Sequence, residues 1–189
     1  MWVIYKLLGK RFDSPAINTY IYQKDFCKFC ADLKYYLSCE LVFFQNDSNT
    51  RCPYAYLGDG DKRITIQFTH YHNEEEARNK WNERKERIHW DNLYIMTNDG
   101  NKADLSDFNL LERVPCKRKV IFTSRRRPEI ADSFELYAMN GQETAVFMMI
   151  DRNYWIGYRP WEEEFDFTAW LNDEKDFRYD SCRKKKTWK

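Results

Sequence analysis

Two of the three histidines in this chain, His70 and His72, stand two residues apart in Thr69-His70-Tyr71-His72. Imidazole has an unperturbed pKa near neutrality, which suits it to take up and release a proton during a reaction. Further along come Asn98-Asp99-Gly100-Asn101 and Ser124-Arg125-Arg126-Arg127. A carboxylate orients an imidazole or holds a hydroxyl, and guanidinium groups clamp phosphate or carboxylate through two hydrogen bonds. Together these residue types suit a phosphorylated or carboxylated substrate. The roles that follow are His70 as acid/base, Asp99 as its orienter or as a ligand to a substrate hydroxyl, and Arg125 or Arg126 as anion clamp. Tyr71, His72 and Ser124 then line the substrate. Each residue also has a plainer use: a histidine at a helix start caps it, Asp-Gly is turn chemistry, and surface arginines are solvated.

For these residues to meet, the elements before them must end on one edge. Ile64-Thr65-Ile66-Gln67-Phe68 alternates apolar and polar side chains and predicts a strand. Residues 73–89 predict a helix in which Ala77, Trp81 and Ile88 share a face. On its other faces Glu74/Arg78, Glu76/Lys80 and Glu83/Arg87 make i,i+4 pairs, and Asn73 with Glu76 resembles a capping box. Leu93-Tyr94-Ile95-Met96-Thr97 is the next strand, a shorter helix follows with Leu105, Phe108 and Leu111 inward, and Lys119-Val120-Ile121-Phe122-Thr123 is a third strand. Strand, helix, strand, helix, strand is the signature of βαβ units. The expected fold is therefore α/β: one domain over residues 1–189, a mainly parallel sheet, and helices on both faces in three layers. Right-handed crossovers bring the carboxyl ends of the strands to one edge, where open sheets bind ligands. His70 and His72 then stand at the N-terminus of the long helix, whose N–H groups and dipole favour an anion and disfavour a charged imidazole.

Before this centre the pattern predicts a helix near residues 24–38, a strand near 40–44 and a polar loop over 46–53. After it, the apolar runs 134–137 and 145–150 are able to extend the sheet. A last helix over 162–172 opens with three glutamates and buries Phe167, Trp170 and Leu171. The basic tail over 180–189 is expected to fray.

Six cysteines are present: Cys27, Cys30, Cys39, Cys52, Cys116 and Cys182. The C-x2-C pair with Cys39 and Cys52 offers four thiolates, but structural zinc sites show two close pairs and Cys39 and Cys52 lie far apart. Phe26, Phe29, Cys30, Leu33 and Leu37 fall at helical spacing, which makes Cys30 a small core residue and puts Cys27 near the helix edge. No metal is expected, and no cofactor follows from the pattern. Glycine-rich nucleotide cradles and the G-x-S-x-G elbow are missing. Leu57-Gly58-Asp59-Gly60-Asp61 reads as a turn, and Tyr154, Trp155, Tyr158 and Trp161 are close enough in sequence to stack on a sugar ring or to pack in a core.

Composition removes several classes. The 189 residues carry 31 Lys+Arg against 30 Asp+Glu, so no global field exists to hold a polyanion and a nucleic-acid partner is not expected. At 17% aromatic the chain is too rich for intrinsic disorder, and six Gly with five Pro exclude low complexity. No apolar run approaches the roughly 20 residues of a membrane helix. The start at Met1-Trp2-Val3-Ile4 has no basic leader or small-residue cleavage site, so a soluble cytoplasmic protein with free thiols is expected.

Several segments resemble a known family. Gly9-Lys10-Arg11-Phe12-Asp13-Ser14-Pro15 is similar to its early segment, and Phe68-Thr69-His70-Tyr71 with the run Glu76–Ile88 is similar to its central helix block. Trp90-Asp91-Asn92-Leu93, Lys119–Thr123 and Phe167-Thr168-Ala169-Trp170-Leu171-Asn172 resemble its later blocks. The family is a bacterial one of unknown function, often described as exopolysaccharide or capsule biosynthesis proteins. The resemblance implies a sugar-modifying transferase with an activated sugar or acyl donor and a glycan acceptor. It also implies an N-terminal strand and an Asn-Asn-Cys turn ahead of Ile4-Tyr5, which this chain lacks. A cysteine on that turn facing His70 would make a Cys–His acyltransferase or hydrolase whose nucleophile lies upstream. A chain without it is alternatively a non-enzymatic glycan-binding module. A missing first strand exposes a sheet edge, from which pairing into a homo-oligomer is expected.

Overall fold

The computed structural model describes residues 9, 11–46, 51–100, 103–139, 143, 145 and 164–172. They fall into two compact units, residues 1–95 with 102–119 and residues 96–101 with 120–189.

The first unit is built on a four-stranded sheet of order β1-β4-β3-β2, formed by β1 (Tyr20–Ile21), β2 (Val42–Phe44), β3 (Tyr54–Leu57) and β4 (Ile64–Gln67). Every pairing in it is antiparallel, with Ala55 opposite Ile66 and Leu57 opposite Ile64. This corrects the expectation of a mainly parallel sheet. The reason is the short connection after Leu57, where Gly58 (φ +78°) and Gly60 (φ +52°) turn the chain back on itself. A connection that short joins only antiparallel neighbours. The strand over Tyr54–Leu57 was hidden beside the polar loop, and without it residues 64–67 read as the opening of a βαβ unit.

Alternation along β3 and β4 buries Ala55, Leu57, Ile64 and Ile66, and leaves Tyr54, Tyr56, Thr65 and Gln67 half-buried on the other face. Helix α1 (Gln23–Ala31) packs near β4, burying Gln23, Cys27 and Cys30 at i, i+4 and i+7. Cys27 is thus fully buried and not at the helix edge. The backbone leaves helical geometry at Asp32 (φ −134°, ψ 51°), so the helix expected over 24–38 is two, the second being α2 (Leu33–Ser38). Asp32 pairs there with Lys62 at 2.8 Å. Helix α3 (Glu74–Lys85) buries Ala77 and Trp81, and Trp81 meets Phe29 and Phe68 with ring centres 6.0 and 6.1 Å away. Helix α4 (Leu105–Glu112) opens with a capping box between Asp104 and Asp107 and packs on α1. Phe108 and Leu111 face inward as expected, but Leu105 is 40% exposed.

A second sheet, of order β5-β6-β7, is formed by β5 (Tyr94–Asn98), β6 (Arg118–Thr123) and β7 (Ser133–Glu135). Strands β6 and β7 run parallel, so the expected geometry holds here. Phe122, Phe134, Phe165, Phe167 and Trp170 form one aromatic cluster, with Phe165 at 4.9 Å from both Phe122 and Phe134. Helix α5 (Phe167–Leu171) is capped by Asp166 and buries Trp170, while Phe167 and Leu171 are half-buried. Residues 146–150, Glu162 and Glu163, the aromatics 154–161 and the tail 180–189 lie outside the described residues. Among the described residues no helix is long and apolar enough to cross a membrane.

Candidate functional site

The segment before α3 is pinned from below. Tyr71 is buried, and its hydroxyl accepts from Arg84 Nη1 at 2.6 Å and donates to Ile17 O at 3.2 Å. Arg84, 6% exposed, also donates to Ile17 O at 3.0 Å and lies over the rings of Phe12 and Tyr71. Burial raises the Tyr71 pKa, and the Arg84 guanidinium works against that rise. The phenol therefore stays protonated and holds the loop. The Tyr71 hydroxyl is committed to this pin, while His70 and His72 on either side are exposed.

The helix start itself is occupied. Asn73 Oδ1 accepts from Glu76 N at 2.8 Å, and Glu76 Oε2 accepts from His72 N at 3.0 Å. The reciprocal arm of the expected capping box thus lands one residue early. Glu74, Glu75 and Glu76 add negative charge to the first turn. The Glu76 N–H is met by Asn73 and the dipole by the chain's own carboxylates, whose charge opposes the anion expected at this terminus. Of the expected ion pairs on α3, Glu83 with Arg87 forms at 2.6 Å, and Lys80 joins Glu83 at 2.9 Å. Arg78 donates instead to Leu41 O at 3.1 Å.

Beside this start lies an open hollow of ≈ 370 Å³. Phe44 and Tyr54, cross-strand partners on β2 and β3 with ring centres 6.0 Å apart, form its aromatic wall. Its polar wall includes Asn46, His72, Asn73 and Glu74, and Arg51 and Cys52 line it too. Cys52 is half-buried, and its sulfur accepts from Gln67 Nε2 at 3.1 Å. Planar amides and carboxylates hydrogen-bond in pairs, and an aromatic face covers apolar C–H surface. The lining therefore suits a small ligand that presents hydroxyls on its rim and C–H groups on its face.

The second unit carries the other expected site residues. Asp99, 5% exposed at the end of β5, accepts from Ser124 N at 3.2 Å and from Ala145 N at 2.5 Å. Its own N–H donates to Phe122 O at 2.9 Å. The structure thus brings Asp99 and Ser124 together. The hydroxyls of Thr123 and Ser124 are buried and have no hydrogen-bond partner among the described residues. Arg125 and Arg126 are exposed, whereas Arg127 pairs with Glu129. His70, Tyr71 and His72 belong to the first unit, Asp99 and the 124–127 loop to the second.

Residues 2–172 match the family model described as a domain of unknown function, DUF1919. The chain belongs to this family. An uncharacterized protein of Haemophilus influenzae is 32% identical over 165 residues, which cover 87% of this chain and 76% of that protein. The segment before the central helix, the pin under it and the hollow beside it all fall within the matched residues. Sequence patterns singled out His72 and weighed Cys52 only as a thiolate ligand for zinc, and they passed over Phe44 and Tyr54 as site residues. Cys52, Phe44 and Tyr54 lie on or beside a short strand that its neighbouring loop disguised. Arg84 was not singled out, although its position three residues after Trp81 puts it on the buried face.

Proposed function

We propose that this protein acts in exopolysaccharide or capsule biosynthesis as a sugar-modifying transferase, with the hollow beside α3 holding the glycan acceptor. The observation that carries this reading is the lining of that hollow, two aromatic rings facing amide, carboxylate and imidazole groups. The family resemblance supplies the pathway. Within the hollow the acid/base role moves from His70 to His72, because His72 lines it. The imidazole there accepts a proton from a sugar hydroxyl as that oxygen attacks an activated donor. In the second unit, taken by itself, the exposed Arg125 and Arg126 are suited to hold an anionic group.

Calorimetric titration with neutral oligosaccharides and with nucleotide sugars tests the reading. Saccharide binding is expected to survive in His70→Ala and to weaken about tenfold or more in Tyr54→Ala, which removes an aromatic wall. Turnover of a nucleotide sugar in the presence of the acceptor should fall about a hundredfold in His72→Ala. Binding of glycan without turnover of any donor would leave a glycan-binding module, and no saccharide binding at all would remove the proposal.

A further inference from the structure

We infer that Cys52 is a nucleophile of this hollow, paired with His72 in an acyl-transfer step. The group transferred to the sugar is then an acyl group carried on sulfur. The inference rests on the reading above only for its acceptor.

Three observations single out Cys52. It lines the hollow together with His72, which puts a thiol and a proton acceptor around one accessible space. Its sulfur receives an N–H from Gln67 at 3.1 Å, which holds the side chain at the wall of the hollow. Arg51, on the same wall, adds positive charge, and Glu74 supplies a carboxylate, the residue type that orients an imidazole in such pairs. The remaining described thiols differ. Cys27 and Cys30 are buried, which pushes Cys27 up to about 12 and Cys30 well above its ordinary value. Cys39 and Cys116 are half-buried and do not line the hollow.

In the first step the Cys52 thiol gives its proton to His72 as the sulfur attacks the carbonyl carbon of an activated acyl ester or thioester. The C–S bond forms, the bond from carbonyl to leaving group breaks, and the leaving group departs with that proton. In the second, a sugar hydroxyl gives its proton to His72 and its oxygen attacks the new thioester. The C–S bond then breaks, and the sulfur takes the proton back. No oxidant or reductant is involved.

The test is to incubate the full chain with 4-nitrophenyl acetate at neutral pH and locate acetyl groups by intact mass and peptide mapping. Acetylation is expected at Cys52, ahead of Cys39 and Cys116. It should be absent in Cys52→Ser and slowed about a hundredfold in His72→Ala, with the circular dichroism of both variants unchanged. Adding a neutral oligosaccharide should discharge the acetyl group onto the sugar. Equal labelling of Cys39, Cys52 and Cys116, or a rate unchanged by His72→Ala in the folded protein, would overturn the inference. Saccharide binding that persists in Cys52→Ser while Cys52 stays unlabelled removes this step and leaves the glycan site. Acetylation of Cys52 without any saccharide binding does the reverse.

Discussion

At the scale of single residues, a buried cation and a phenol place the candidate chemistry. Arg84 reaches from α3 to Ile17 and to Tyr71, and that triangle sets the exposed His70 and His72 on their loop. Tyr71→Phe removes the hydroxyl that accepts from the guanidinium and leaves Arg84 with one fewer partner. The expected cost is about 1–3 kcal/mol, read as a lower urea midpoint at unchanged m-value. An unchanged midpoint would mean that the phenol is not what holds the loop. Glu83 supplies a pH dependence of known sign. Hydrogen bonds from Lys80 first and then Arg87 hold its carboxyl down at about 2, against an ordinary 4.5. A depressed folded-state pKa stabilises fully above the unfolded value and is lost as pH falls towards the folded one. Stability from this group should therefore decline between about pH 4.5 and about 2, and Glu83→Gln should flatten that decline in thermal unfolding. Because the carboxylate is solvent-facing, the effect is small and weakens with salt.

Among the elements, the β3–β4 connection decides most, because its length sets the direction of the sheet. Gly58 sits at φ +78°, and a Cβ there would approach Tyr36 Cε1 to 3.1 Å and Lys62 O to 3.2 Å. The Tyr36 hydroxyl donates to that same Lys62 carbonyl at 2.7 Å, so neither neighbour yields without losing a contact. Gly58→Ala is expected to cost about 1–3 kcal/mol, measured by chemical denaturation. Gly60→Ala meets no neighbour within 4 Å and should cost less, through its positive φ alone. Equal losses at the two glycines would contradict the crowding at Gly58. The alternation in residues 64–68, the helical face of α3 and the capping residue Asn73 were all legible, since each is written in neighbouring side chains. The break at Asp32 and the strand over Tyr54–Leu57 were not. The strand depends on its pairing with Ile64–Gln67, and no local pattern of side chains marks the backbone break at Asp32.

For the molecule as a whole, each unit has its own aromatic core. Trp81 with Phe29 and Phe68 fills the first, and Phe165 with Phe122, Phe134 and Trp170 fills the second. Phe165→Ala leaves a cavity worth about 3–5 kcal/mol. In hydrogen exchange the loss of protection should appear in β6 and β7, with β3 and β4 retaining theirs. Equal loss in all four strands would show that the two aromatic clusters act as one core.

Alternation, helical spacing and caps identified the α/β class and most of the described helices and strands, because those signals are local and physical periodicity writes them directly. Family membership likewise came from short blocks such as Phe68–Tyr71 and the helix that follows. The tertiary structure decided that the first sheet is antiparallel, that Asp99 clasps the backbone of Ser124, and that Cys52 and His72 line one hollow. Pairing direction and shared cavities are set by hydrogen bonds and packing between residues far apart in the chain. No local pattern of side chains records them.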